Sequence, residues 1–527
     1  MKLTTLRWVA ALGLLLGSTA CEKELLDINK DPNNPATADV SLVLPSGQGT
    51  ASFIMGGQYN ILGEILAQHM GAMGAQYRGY DQYNLSSGTL DGFQFQALYA
   101  GALRDFEYVI QEGTKSGEWR MVGIAKILKA HTFQVLTDLY GDLPFSQALQ
   151  PEVTITPAYD KQRDIYAGLH TLLTEAVADI GKKQGRFPGL ADLHYRAATE
   201  ADMNRWVRLA NTLRLKLYLR TSEVDPAGAQ AGVAGLFSRL TTTDFMLSGE
   251  DFQFNHTANA GAENPFYQAN SRLPNQLAVS RTLGSSVIIN PAQGLVDPRF
   301  RVYFVDWDLS TPSVFDFFFR EPGSSDGFRW STPGPWFFGQ NFANANNRPA
   351  ADFPGIPATD APAKARPTLL LTYEESLFLR AEAAVRGWST EGAQAITLYN
   401  NGVAWAMGRY GITAAEYNTY IANPRFNLVG VTTTPDRIGR IIWQKWISLY
   451  GTNGLEAWAE ARRTDGILSS TGQPPIPLRA PLVNFIGGNR LIKRLPYPDS
   501  ELQRNPNVSS TGLAPGDIVT PVWWDVK

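Results

Sequence analysis

The run WRMVGIAKILKAHTFQVLTDLYGDLPF, residues 119–145, reads as a long helix with an abrupt stop. Ile124, Ile127, Leu128, Val135 and Leu139 recur at helical spacing, so one face is apolar. Gly141 and then Pro144 supply the stop, because glycine tolerates the backbone that leaves a helix and proline cannot continue one. Moving outward, Ile165, Leu169, Leu172, Leu173, Ala176 and Ile180 mark a second amphipathic helix, and Trp206, Leu209, Leu213 and Leu217 a third. Upstream, helical patterning starts near Ser52, with Ile61, Ile65 and Met70 on roughly one face.

The same grammar returns late in the chain. Thr372 with Glu375 and Thr413 with Glu416 fit capping boxes, in which a hydroxyl and a carboxylate satisfy orphan amides. Leu377, Ala381, Ala384, Val385 and Trp388 line one face; Ile396, Tyr399, Val403 and Met407 line another. Pro435 suits a first helical position before Ile438, Ile441, Ile442, Lys445 and Leu449, and 454–463 reads as a short helix. Residues 222–365 differ. Pro, Gly, Asn and Ser are frequent there, and no lysine lies between Lys216 and Lys364. Residues 240–355 hold 20 Phe, Trp and Tyr, above the chain's 11% aromatic share. The predicted architecture is mainly α: helix pairs stacked as in tetratricopeptide repeats, without a clean 34-residue consensus, around an irregular aromatic-rich lobe. Its units are 51–221, 222–365 and 366–527, forming one body over 22–527 and preceded by an extended segment at 21–50.

The chain begins with Lys2 and Arg7, an apolar run from Trp8 to Leu16, small residues at 17–20, and Cys21, the one cysteine. That is the layout of a secretory signal peptide over 1–20. The apolar run falls short of the roughly 20 residues that span a bilayer. Ser18-Thr19-Ala20-Cys21 resembles a bacterial lipobox, which makes Cys21 the lipidation site and ties the protein to a membrane surface through acyl chains. Ser18 stands where that pattern usually has leucine. With a formal net charge of -3 and no basic stripe, nucleic acid is not an expected partner.

Catalytic signatures are sparse. There is no P-loop and no G-x-G-x-x-G, and the five histidines form no metal-ligand spacing, so neither cofactor nor metal is expected. Two segments suit binding instead. Residues 76–84 interleave Tyr77, Tyr80 and Tyr83 with Arg78 and Asn84. Residues 328–341 carry Trp330, Trp336, Phe337 and Asn341 among Gly and Pro. Sugars present an apolar C–H face and a ring of hydroxyls, which aromatic plates and amide or guanidinium groups match. The same residues also fit a plain loop and lobe core. Trp443, Trp446 and Trp458 are at core spacing. Asp138, Tyr140, Gly141 and Asp142 read as a helix end, and Arg380 with Glu382 and Glu460 with Arg462 and Arg463 as helix-surface pairs or staples between lobes.

Several segments occur together in one order: Asp31-Pro32-Asn33-Asn34-Pro35, the run 136–145, Asn204-Arg205-Trp206, Phe378 to Ala384, Trp443 to Ile447, Leu455 to Glu460, and Arg494-Leu495-Pro496-Tyr497-Pro498. This series resembles the SusD/RagB family of outer-membrane lipoproteins, its SusD-like branch most closely. The resemblance implies an α-α superhelix of four tetratricopeptide-like pairs, with a less regular lobe carrying much of the ligand surface. It implies a surface-exposed, lipid-anchored nutrient-binding protein without catalysis, acting as a lid on a SusC-like TonB-dependent transporter. Most such proteins bind glycans, and some bind peptides. A surface glycosidase is the rival from another class; it would need two carboxylates about 5–10 Å apart beside the aromatic cleft.

Overall fold

A computed structural model describes residues 38–89, 93–290, 295–305, 317–325, 330–339 and 359–526. The signal peptide, Cys21, the Asp31–Pro35 run and Asn341 lie outside them. The fold is mainly helical, 54% helix against 5% strand. Its principal helices are α1 (Val40–Gly56), α2 (Gln58–Leu66), α3 (Arg104–Ser116), α4 (Trp119–Tyr140), α5 (Gln162–Gly181), α6 (Glu200–Arg220), α7 (Pro226–Phe237), α8 (Tyr373–Val385), α9 (Ala395–Gly408), α10 (Ala414–Ala422), α11 (Thr434–Ser448) and α12 (Gly454–Thr464). Sequence neighbours α3/α4, α4/α5, α5/α6 and α8/α9 pack against each other, as short connections favour.

Local chemistry sets the helix ends. At the end of α4, Gly141 takes φ +80°, which a side chain resists, and its N–H donates to Thr137 O at 2.8 Å. Thr413 and Glu416 form the expected box at α10. Thr372 accepts from Glu375 N, but the Glu375 carboxylate turns inward to lysines, so the second half of that box is missing. Pro435 sits in the first turn of α11, behind the cap Thr433.

Two boundaries differ from the sequence reading. Helix begins at Val40, not near Ser52, so the end of the expected extended segment is helical; Asp39 caps it by accepting from Ser41 N at 2.8 Å. Pro45 inside α1 had disguised it as loop. Residues 226–237, expected within the irregular lobe, form α7, capped by Asp225 with Pro226 in its first turn.

The two helical halves share one hydrophobic core. Their closest crossing is α2 on α12. A Cβ on Gly63 would stand 2.3 Å from the Gly454 carbonyl carbon, and one on Gly454 2.2 Å from Glu64 N, so the backbones touch only because both are glycine.

Behind this crossing lies a buried ionic cluster. Lys216 of α6 is 2.6 Å from Glu456 and 3.2 Å from Glu375; Lys445 of α11 is 2.9 Å and 3.3 Å from the same two. Arg220 meets Glu460 at 2.6 Å and Glu456 at 2.7 Å, and Arg463 meets Glu460 at 2.7 Å and Glu382 at 2.9 Å. Four cations and four carboxylates thus close on one another across α6, α8, α11 and α12. Glu382, Glu460, Arg462, Arg463 and Arg380 are therefore buried, not the surface pairs the sequence allowed. Arg380 pairs with Glu391, and Arg462 lies 3.7 Å over the Trp458 ring. Burial pushes the Glu460 carboxyl up, but Arg463, Lys445 and Arg220 outweigh it and bring it down to about 2. Glu375 goes the other way: burial raises it despite its two lysines.

Asp138 and Asp142 lie at the end of α4, but their carboxylates bond partners distant in sequence, not the local backbone. Buried Asp138 accepts from Trp524 Nε1 at 2.8 Å and from the Tyr166 hydroxyl; Asp142 accepts from Gln162 N at 2.9 Å and Lys161 Nζ at 2.8 Å. No described helix is long and apolar enough to cross a membrane.

Candidate functional site

Two sequence segments some 250 residues apart meet on one short strand spine. Strand β1 (Met70–Ala72) pairs antiparallel with β2 (Leu277–Val279), Met70 opposite Val279 and Ala72 opposite Leu277. On the far side of β2, Val279 N donates to Ser331 O at 2.8 Å, and Arg320 N donates to Val279 O at 2.9 Å. The 73–89 excursion and residues 318–320 and 330–333 are thus held edge to edge, which brings the first predicted binding segment and the start of the second together; Trp336 and Phe337 of the second pack against Tyr410.

The individual residues sort differently. Tyr77, Tyr80 and Tyr83 are buried, at 7%, 6% and 3% exposure, and belong to the core. Gln58 donates to the Tyr80 hydroxyl at 2.9 Å, and Gln68 hydrogen-bonds the Tyr83 hydroxyl. Burial pushes the Tyr77 phenol up to about 12. The expected plate of three rings is therefore a support under the surface, because helical turns at 75–81 direct these rings inward. Arg78 and Asn84 are exposed. Trp330 and Trp336 are half-buried, with the Arg320 guanidinium 5.9 Å from the Trp330 ring. Phe337 is wholly buried against Tyr303, Tyr410 and Tyr450 and lies under Arg366, so it is core.

Beneath the spine, Asp81 Oδ2 accepts from Ala72 N at 3.1 Å. Burial pushes this carboxyl up to about 6, against the pull of the Gly323 and Ala72 amides and Arg320. Backbone strain gathers here too. Gln68, Tyr83 and Asn275 have φ of +56°, +57° and +61°, half of the described non-glycine residues with positive φ.

The sequence reading passed over a third segment, 479–486. Arg479 N donates to Gln68 Oε1 at 2.9 Å, Leu482 N to Pro322 O at 2.8 Å, and Phe485 N to Gln82 O at 3.0 Å. Asn484 folds the loop by accepting from Ile486 N and donating to the carbonyls of Gly488 and Arg490, all at 3.1 Å. Leu482 and Phe485 are left 70% and 61% exposed. An exposed ring on a loop pinned this closely is a ready stacking plate. Its signal in sequence is four apolar residues around Asn484 in 482–486, between Pro481 and Gly487-Gly488, with no helical period. The letters Gly323-Ser324-Ser325-Asp326-Gly327 also match G-x-S-x-G. The strand–turn–helix context of a nucleophile elbow does not lead into them: Arg320 makes an isolated bridge, a turn follows, and 326–329 lie outside the described residues.

Among the described residues, two carboxylates at this face, Asp81 and Glu321, are engaged. Asp81 is buried with its amides, and Glu321 sits 2.5 Å from Arg281. Among the described residues no cluster of three His, Cys, Asp or Glu is placed to hold a metal.

Comparison with known proteins follows this geometry. A SusD-like family model, described as "Starch-binding associating with outer membrane", matches residues 32–498. The fold aligns with a chitin-binding protein at a TM-score of 0.71 and 23% identity, covering 93% of this chain and 100% of the other. A chitin-binding SusD homologue from Flavobacterium johnsoniae aligns at 0.68 and 21%, covering 92% and 99%. A SusD homologue from Bacteroides fragilis aligns at 0.72 and 20%, covering 93% and 100%. No curated protein matches the chain by sequence.

Proposed function

We propose, given that this chain belongs to the SusD-like family, that it captures an extracellular oligosaccharide and hands it to a SusC-like TonB-dependent transporter, without catalysis. The observation that carries this reading is the convergence on one spine of Arg78, Asn84, Trp330 and the outward Phe485, over a layer of buried tyrosines. A ring for the C–H face and flanking amide and guanidinium donors suit a pyranose. The buried layer fixes their positions in advance, which limits the ordering cost of binding. The described starch association of the family and the chitin-binding names of two structural neighbours favour a glycan over a peptide.

Among the described residues, Asp81 is buried on a backbone amide and Glu321 is paired with Arg281, which favours binding over glycosidase chemistry with its two available carboxylates. Acylation at Cys21, which lies outside the described residues, would keep the protein at the outer face of the outer membrane, beside its channel. Calorimetric titration of the mature chain with starch, chitin and other oligosaccharides, and with peptide mixtures, tests the reading. Saturable heat with a glycan that falls on F485A supports it. Glycan turnover, or heat with peptides alone, would overturn it.

A further inference from the structure

We propose that the chain carries a second sugar site, for an anionic pyranose, in the groove between the 424–432 segment, α11 and the 467–475 loop; this builds on the glycan reading above. The groove holds about 760 Å³ and is lined by Arg425, Asp436, Arg440, Trp443, Gln473 and Pro474 among others. None of these belongs to the strand-spine face.

An aromatic row backs the one ring that lines the groove, Trp443. Tyr420 and Phe426 stack with centroids 4.1 Å apart and planes 10° apart. Phe426 and Trp443 follow at 6.0 Å and 8°. Tyr420 and Phe426 are buried, while Trp443, the end of the row, is half-buried and lines the groove. Tyr420 is anchored in turn by Gln444 Nε2 at 2.6 Å. A ring locked from behind and open in front is what a sugar C–H face stacks on.

The polar groups decide the charge of the ligand. Asp436, the carboxylate of the lining, is engaged: Thr433 Oγ1 donates to it at 2.6 Å and Ser470 N at 2.8 Å. Arg440 spends Nη1 on the carbonyls of Pro424 and Asn427, which fixes its guanidinium in the wall. Among the described residues, Arg440 Nε and Nη2, the Arg425 guanidinium, the Gln473 side-chain amide and Trp443 Nε1 have no acceptor. Two guanidinium groups thus line the groove with free N–H donors, against one carboxylate that is already engaged. A planar guanidinium pairs best with carboxylate or sulfate oxygens. A uronic-acid unit and a sulfated unit share that chemistry, with a pyranose face for Trp443.

The 476–486 segment joins the two faces. It leaves the groove at Pro475 and reaches the spine at Leu482, at most about 25 Å of chain. A polysaccharide long enough to span that separation would occupy both.

Calorimetry on the full mature chain would use oligogalacturonate, carrageenan oligosaccharides (sulfated, without carboxylates) and neutral malto- and chito-oligosaccharides. Thermal melts would check that W443A folds. R425A and Q473A, both at exposed residues, carry the test if it does not. One anionic series should bind, roughly tenfold weaker in W443A and several-fold weaker in R425A, with neutral oligosaccharides unaffected; which series responds separates carboxylate from sulfate. Unchanged anionic affinity in R425A, Q473A and folded W443A, or no anionic binding by the wild type, overturns the proposal. Neutral binding that still falls on F485A would then leave the glycan reading intact, whereas no binding of any glycan would remove both.

Discussion

Replacing Arg463 by methionine removes a six-bond staple from the middle of the helical frame. Its guanidinium donates to both Glu382 oxygens at 2.9 Å, to Glu460 at 3.1 and 2.7 Å, to Leu219 O at 3.1 Å and to Ser222 Oγ at 3.2 Å. Methionine fills much of the space but donates nothing. The carboxylates are not wholly stranded: Glu382 keeps Arg386 at 2.9 Å, and Glu460 keeps Arg220 at 2.6 Å. Breaking a buried pair by removing one partner costs about 3–5 kcal/mol, and the surviving partners argue for about 3 kcal/mol here. With an unfolding entropy of about 2.1 cal/mol/K per residue over roughly 450 residues, that corresponds to a drop in Tm of about 3 °C. Differential scanning calorimetry at pH 7 measures it, with urea unfolding as a second readout. R463K keeps the charge and loses the fork, and should fall between. E382Q combined with R463M should lose less than the sum of the two single variants, because each removes a reason for the other. An R463M melting within about 0.5 °C of wild type would refute the view that this cluster clamps α6, α8 and α12.

Acid should loosen the same frame in two stages. Burial lowers His131 to about 3, so the unfolded chain takes up a proton below about pH 6.5 that the folded chain refuses; stability falls by up to about 1.4 kcal/mol per pH unit there, and H131Q should flatten that slope in pH-dependent melts. Glu460, held near 2, contributes stability present above about pH 4.5 and lost as pH falls toward 2, a dependence E460Q should weaken. F485A should weaken glycan binding roughly tenfold by calorimetry while leaving Tm within about 1 °C, since the ring is exposed. G141A forces a side chain into φ +80° and toward Arg494, 3.3 Å away, and should cost at least about 1 kcal/mol in urea unfolding. C21S, expressed in the native host, should move the protein out of the membrane fraction; unchanged fractionation would count against acylation.

Much of the frame is written locally. Gly141 with Pro144, the Thr413–Glu416 box, and the apolar faces of α4 to α6 and α8 to α12 each depend on residues within a turn or two of one another. Periodicity and capping chemistry therefore reveal them without any fold. The early start of α1 escaped for the converse reason, since a proline inside a helix looks locally like a break.

Tertiary structure alone decided the burial or exposure of residues that no periodic apolar face assigns. Tyr77, Tyr80 and Tyr83 look like a sugar plate in sequence, yet their burial depends on packing with residues such as Gln58 and Gln68 that no local pattern links to them. Glu460 and Arg463 have the spacing of an exposed helix pair, but partners 240 or so residues away in α6 draw them inside. Phe485 is held by Gln82, about 400 residues earlier, so nothing near it in the chain announces its role. Helix formation is a short-range balance of backbone hydrogen bonds and side-chain fit. Burial and exposure are set by whatever the folded chain brings alongside, and that information is spread over the full length of the sequence.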